Sequence, residues 1–303
     1  PGTPSQFSVA GFQKDFGDAA TFMVLGNTLW LAAIRTVLAV ALGLFMAWVV
    51  TRTDTPGKGL LEVFVWMAFF MPLLPAVVAW IFLAGPKGFI NTFAMKTFGL
   101  SNPPIDIYSY GGIIWVSVIF WSSLLFILIT PALRGMDASL EESSRMAGAN
   151  GFTTLRRITV PVLAPAILGV TMLAFVRLLE SFEVELFLGY SKGIMVYTTR
   201  IWELLALVPA DYPRSMAMSS AFLLIVFGLI FLQWRLLGER QYVTITGRGF
   251  TARVTRLGRW RYATLAAMLL YFMLAVVLPL GTLILGSFMK LWGVWSSEPF
   301  TTK

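Results

Sequence analysis

Six stretches of this chain stay apolar for longer than a soluble fold tolerates: about Met23 to Val50, Leu60 to Ala84, Gly111 to Thr130, Val162 to Gly189, Met216 to Leu237 and Ala263 to Phe288. Each reaches the roughly 20 residues that a helix needs to cross hydrocarbon. An isolated segment in that medium must satisfy its own backbone hydrogen bonds, which a helix does and a lone strand does not. Strands of a membrane barrel would alternate polar and apolar side chains over about ten residues, and these runs do not alternate. The predicted fold class is therefore all-α, a polytopic transmembrane helical bundle. Composition supports this: 57% hydrophobic against 13% charged residues leaves too little charge to coat a soluble surface. The 11 tryptophans suit the aromatic belts at the two faces of a bilayer.

Absent residue types narrow the chemistry. The chain has no cysteine and no histidine, so it offers no disulfide framework, no thiolate or imidazole metal ligand, and no Ser-His or Cys-His nucleophile. Gly57-Lys58-Gly59 lacks the spacing and hydroxyl residue of a phosphate-binding loop. The expectation is a protein without enzymatic activity of its own, with no catalytic residue and no metal site, whose ATP chemistry, if any, resides in a partner. Residues 1–20 have neither the basic start nor the apolar core of a signal peptide and read as an external loop.

Charge placement sets the orientation. Thirteen basic residues fall in alternate connections or at their edges: Arg52 and Lys58, then Arg134, Arg145, Arg156 and Arg157, then Arg235, Arg240, Arg248, Arg253, Arg256, Arg259 and Arg261. The opposite connections carry eight. By the positive-inside rule the first set is cytoplasmic. The net charge of +8 is thus mostly topogenic, with anionic lipid a partner for Arg248 to Arg261, and nucleic acid is excluded as a reading.

One cytoplasmic connection, residues 137–165, is polar and charged where its surroundings are apolar. Ser139-Leu140-Glu141-Glu142 has the form of a capping box, which predicts a short helix with Leu140, Ser144 and Ala147 on one face. Gly148 is placed to end it in the left-handed conformation. Asn150 or Gly151 opens a second helix carrying Phe152, Leu155 and Ile158, and Pro161 is expected to stop it. Glu142-Ser143-Ser144, three residues, Gly148, nine residues, Ile158, one residue, then Val160-Pro161 resembles the EAA loop of binding-protein-dependent ABC importer permeases, patterned Glu-Ala-Ala, three, Gly, nine, Ile, one, Leu-Pro. The departures are Ser143 and Ser144 for two alanines and Val160 for leucine.

The resemblance implies a fold similar to that of the family's methionine, maltose and molybdate members (MetI-like). It also implies a coupling loop, here 137–161, seated in a groove of a cytoplasmic ABC ATPase dimer that binds ATP and Mg, and a periplasmic substrate-binding protein on the other side. Localisation would be the bacterial inner membrane, multi-pass, and transport would proceed by alternating access driven by ATP hydrolysis in the partner. Glu239 to Phe250 resembles the mid-chain junction of long tandem permeases for ferric iron, which makes iron the first substrate choice; aminoethylphosphonate, sulfate, thiamine and polyamine are alternatives. A secondary transporter or channel driven by an ion gradient is the competing class, but it would leave the cytoplasmic helix pair without a task.

Charged residues inside spans mark either a pathway or a buried pair. Arg35, Arg177, Glu180 and Glu183 are the candidates for a translocation path; the favoured alternative is a structural role, with Arg177 and Glu180 paired within one helix or Glu180, Glu183 and Glu185 near the outer headgroups. Pro72 and Pro75 predict a kink in the second span, and Thr198 to Leu205 an amphipathic helix at the outer face. The long external connections Pro86 to Pro104 and Ser191 to Pro213 are candidate docking surfaces for the binding protein. The domain reading is a permease unit of five spans over 1–237, a cytoplasmic linker over 238–262, and the first span of a second unit over 263–303. The second half would be fused, with its own Glu-x-x, three, Gly loop roughly 250 to 300 residues after Glu142, or replaced by a second copy of the chain.

Overall fold

A computed structural model describes residues 9–238 and 254–289. The Glu239 to Phe250 junction and the terminal segments Gly2 to Ser8 and Ser296 to Thr301 lie outside the described residues, as do Arg240, Arg248, Arg253, Lys290 and Lys303. Among the described residues, six helical stretches are long and apolar enough to cross a membrane: Ala19–Arg52, Leu73–Phe98, Tyr110–Gly135, Gly151–Leu179, Tyr212–Arg235 and Trp260–Ser287. The only β pairing among the described residues is the isolated Thr53–Thr255 bridge.

The described residues open with a helix, α1 (Ala10–Phe16), where an external loop was expected. Asp15 explains it: fully buried, it accepts from Arg214 Nε at 2.7 Å and pins α1 to the bundle. The Asp18 carboxylate then caps α2 (Ala19–Arg52) by accepting from Ala20 N–H at 2.9 Å. The predicted second-span kink is a full break between α3 (Lys58–Phe69) and α4 (Leu73–Ala84), with Pro72 extended at ψ 133° ahead of α4. Pro72 and Pro75 supply no N–H, so the backbone ladder cannot run through them. Beyond Ala84 a short non-helical stretch at 85–88 leads into α5 (Phe89–Phe98), tied down by Asn91, which donates to the carbonyls of Ala84, Gly85 and Ile105.

Helix α6 (Tyr110–Gly135) lies along α2 and forms the centre of the core. Gly43 permits the approach: a Cβ there would stand 2.9 Å from Leu125 Cβ and 3.0 Å from Phe126 N. The connection 137–161 opens with a helix pair, α7 (Ala138–Met146) and α8 (Gly151–Thr154). Pro161 does not stop the helix that follows. A π turn, Leu155–Thr159, runs directly into α9 (Val160–Leu179), so one continuous helix extends from 151 to 179. The same order recurs in the sixth span, where α13 (Trp260–Phe272) passes through a π turn, Met273–Val277, into a final helix whose second residue is Pro279. In both places the shifted ladder of the π turn comes just before a proline that cannot donate, so the helix survives it.

The fourth span also ends sooner than expected. It breaks after Leu179, and a separate short helix, α10 (Glu183–Leu188), carries the rest. The predicted amphipathic helix is present as α11 (Tyr197–Ala206), and α12 (Tyr212–Gly238) follows it. The last helix, α14 (Leu278–Ser287), packs on α4 while α13 packs on α3, with Phe64 and Phe272 stacked 3.9 Å apart.

Polar contacts gather at the two ends of the bundle. One end holds Arg52, Met136, Glu141, Thr159 and Thr255; the other holds Asp15, Asn27, Met195 and Arg214. The charge argument separates the same two sets of connections.

Candidate functional site

The connection 137–161 projects from the end that carries Arg52. Its first helix is capped two residues earlier than expected: Ser139 N–H donates to the Asp137 carboxylate at 2.9 Å, while the Ser139 carbonyl accepts from the Ser143 hydroxyl at 2.8 Å. Asp137 takes the cap because it directly precedes the first helical residue. The two hydrogen bonds from Ser139, backbone first, hold its carboxyl below the usual carboxylate range.

The inward face of α7 is also rotated from the expected one. Leu140 is 44% exposed, whereas Glu141 is buried. Its Oε1 accepts from the Thr159 hydroxyl at 2.7 Å and lies 3.5 Å from Arg52 Nε. Ser144 meets Thr154 hydroxyl to hydroxyl at 3.1 Å, closing α7 onto α8. A carboxylate with two polar partners outcompetes a leucine for the buried side because the base of this loop is built of polar groups and helix ends. Glu142 and Ser143 face solvent.

Gly148 takes φ +86°, the predicted left-handed turn. A Cβ there would meet nothing within 4 Å, so the restriction is one of backbone conformation and not of space. Asn150 caps α8 by accepting from Thr153 N–H at 2.8 Å. The result is a capped turn that leaves two large apolar side chains uncovered, Met146 at 84% and Phe152 at 70% exposed. Isolated exposed apolar residues are ordinary. Here Met146 lies one turn after Glu142 on α7 and Phe152 follows on α8 across a tightly capped turn, which is the form of a docking surface. Ile158 is half-buried within the π turn and Pro161 is exposed just beyond it.

The loop base is anchored by Arg52, which is 1% exposed at the end of α2. Its Nη2 donates to the carbonyls of Leu133 at 2.8 Å and Met136 at 3.1 Å, capping the C-terminus of α6 with positive charge. Its own carbonyl accepts from Thr255 N–H at 2.9 Å, and the Asp54 carboxylate accepts from Leu257 N–H at 2.8 Å. The described end of the linker is thereby strapped to the same place.

The four intramembrane candidates separate. Arg35 is enclosed, and its guanidinium is committed to the fully buried Glu185 carboxylate, with Ser117 Oγ at 3.3 Å and the Leu178 carbonyl at 3.2 Å. The Ser181 hydroxyl donates to the other Glu185 oxygen at 2.7 Å. Arg177 and Glu180 form the expected pair, at 3.2 Å, on an exposed face. Glu183 is exposed too, but the break after Leu179 puts it on a different helix. Sequence reasoning missed Glu185, Glu141, Arg52 and Thr159. A mid-span arginine demands a partner, yet Glu180, Glu183 and Glu185 were equally available in one dimension.

A cavity of about 550 Å³ is lined by Trp80, Ile90, Ile107, Trp115 and Leu274, with Asp106 as its one charged residue.

Comparison with known proteins places these features. The model of a family described as binding-protein-dependent transport system inner membrane component matches residues 39–237. The ferric transport system permease protein FbpB of Actinobacillus pleuropneumoniae is 25% identical over 92% of the chain, which spans 40% of that relative. A ferric relative from Haemophilus influenzae is 26% identical over 89%, with 42% spanned. The sulfate transport system permease protein CysT of Salmonella typhimurium is 29% identical over 69% of this chain and 75% of its own length. Among solved structures, a bacterial ABC transporter for import of the acidic polysaccharide alginate superposes with a TM-score of 0.67 at 18% identity, covering 79% of this chain and 86% of that one.

Proposed function

The chain belongs to the family of binding-protein-dependent transport system inner membrane components, and on that premise we propose that residues 137–161 are the coupling loop through which a cytoplasmic ATPase dimer drives substrate import. The observation that carries this reading is the capped turn at Gly148 that presents Glu142, Met146 and Phe152 to water. In this reading the partner subunits bind ATP and Mg and hydrolyse the ATP. A periplasmic binding protein delivers substrate to the opposite face, where α5 and α11 cover the long external connections. Closure of the ATPase dimer draws its coupling loops together, and the spans reorient because ATP binds the two conformations with different affinity. The exposed faces of Arg177, Glu180 and Glu183 are the candidate lining of the path.

Ferric iron is the proposed substrate. Two ferric permease relatives align over 89% and 92% of this chain, whereas the sulfate relative aligns over 69%. The two-unit arrangement belongs to the same proposal: the chain spans about two-fifths of those ferric relatives, and the sixth span packs on α3 and α4 of the first unit. The test is ATP-dependent uptake by the complete transporter in proteoliposomes, with the binding protein loaded in turn with ferric iron, sulfate and aminoethylphosphonate. Uptake of iron alone is expected; uptake of either anion with iron left outside would overturn the substrate.

A further inference from the structure

Two buried arginines on α2 occupy comparable positions, Arg35 hydrogen-bonded to its carboxylate and Arg52 ion-paired with its own at 3.5 Å, and neither belongs to the sequence pattern that defines the loop. Arg52 donates to the carbonyls of Leu133 and Met136 at the end of α6 and pairs with Glu141 on the next helix, α7. Arg35 donates to the carbonyl of Leu178 at the end of α9 and pairs with Glu185 on the next helix, α10. In each case one guanidinium caps the C-terminus of a span and takes its counter-charge from the short helix after the break. All four side chains are 5% exposed or less. Each carboxylate is held in turn by a hydroxyl, Thr159 on Glu141 and Ser181 on Glu185.

The two anchors sit 17 positions apart on one unbroken helix, about 25 Å along its axis at 1.5 Å per residue. One lies at the base of the water-facing loop, the other where the fourth span breaks. We propose that α2 is a transmission rod: Arg52–Glu141 fixes it to the coupling loop, Arg35–Glu185 fixes it to the α9–α10 break, and displacement of the loop is delivered to that break through α2. These four are positioning residues, since none need touch substrate or nucleotide. A guanidinium suits the task because its planar fork holds two carbonyls and a carboxylate in one geometry, which an ammonium cannot. A buried pair also resists continuous distortion, so it passes movement on instead of absorbing it.

The inference rests on the coupling-loop reading and is tested beside it. In the complete transporter with its ATPase and loaded binding protein, the readouts are ATPase copurification and stimulation of hydrolysis by the binding protein. The double variants Arg52→Met with Glu141→Leu, and Arg35→Met with Glu185→Leu, remove both charges of a pair together and leave no unpaired ion to unfold the bundle. Both are expected to assemble with the ATPase yet lose stimulation by about tenfold, within the 5–150-fold that site-to-site coupling commonly spans. Wild-type stimulation in either assembled double variant would overturn the rod. Should a double variant not assemble, Thr159→Val and Ser181→Ala, which remove only the supporting hydroxyls, are expected to lower stimulation by about two- to fivefold, and no change in either would equally overturn it. Glu142→Lys is the control: if it abolishes stimulation while the double variants do not, the rod fails and the loop reading stands. If it leaves stimulation intact, the loop reading itself has failed.

Discussion

The break after α6 and the break after α9 use one arrangement in two settings. After α6 the chain enters the polar connection 137–161, which is written in residues that signal their roles: Asp137 caps, Gly148 turns left-handed, Asn150 caps again. After α9 the chain stays packed, and nothing around Leu179 marks a helix end; the fold is set there by Arg35 reaching across from α2 to Glu185 and the Leu178 carbonyl. The contrast teaches where each break takes its stability. The inner one is specified largely by local backbone preferences, the outer one by a buried polar cluster centred on the long-range Arg35–Glu185 pair.

The largest effect should therefore come from the outer pair. Glu185→Ala leaves the Arg35 guanidinium buried without counter-charge, and breaking such a pair typically costs about 3–5 kcal/mol. A large fall in the thermal midpoint of the detergent-solubilised protein is expected, with most of it recovered when Arg35→Met is added. A fall of similar size in the double variant would show that the pair is not what holds the break. Next comes Gly43→Leu. Its side chain would enter the α2–α6 contact, where the added Cβ already lies 2.9 Å from Leu125 Cβ, and overpacking of this kind costs about 1–3 kcal/mol. Gly26, on the same helix with nothing within 4 Å of an added Cβ, should accept Gly26→Ala without loss in the same melting experiment.

A smaller effect is expected at the linker strap. Asp54→Ala removes the acceptor for Leu257 N–H, a hydrogen bond to a charged group worth about 1.5–3 kcal/mol at most and less near water. Hydrogen exchange should rise at residues 254–258 and remain unchanged in α6; protection unchanged at Leu257 would remove the strap from the account. The smallest concerns pH at the inner break. Asp137 has a native pKa below its unfolded value of about 3.9. Its contribution to α7 is thus complete above that unfolded value and is lost only as pH falls through the depressed native one. Stimulated ATPase should show no inflection from this cap between about pH 6 and 8, and Asp137→Asn should leave the profile in that window unchanged.

How much of this was legible in the sequence follows the same division. The spans were readable because hydrocarbon demands length and apolarity. The Gly148 turn was readable because few residues take its conformation. Pro161 misled: a proline ends a helix only if its missing hydrogen bond cannot be rearranged, and the π turn at Leu155–Thr159 rearranges it. The capping box misled for a related reason, since Asp137 and Ser139 are both good caps and tertiary burial of Glu141 fixes which one is used. Partner choice among Glu180, Glu183 and Glu185 was silent because three carboxylates within six residues differ in three dimensions and hardly at all in one.

Orientation is open to a simple check that uses the absence of cysteine from the chain. Ser143→Cys should label only from the cytoplasmic side and Ser101→Cys only from outside, and labelling of both from one side would contradict the assignment of the two ends.

The central claim, that this loop couples an ATPase to the spans, is tested most directly by binding-protein-stimulated ATP hydrolysis in the reconstituted complete transporter carrying Gly148→Val or Glu142→Lys. The first forces a β-branched residue into φ +86°; the second reverses the charge on the water-facing side of α7. Both proteins should insert normally and both should lose stimulation. Stimulation at the wild-type level in the two variants would contradict the account.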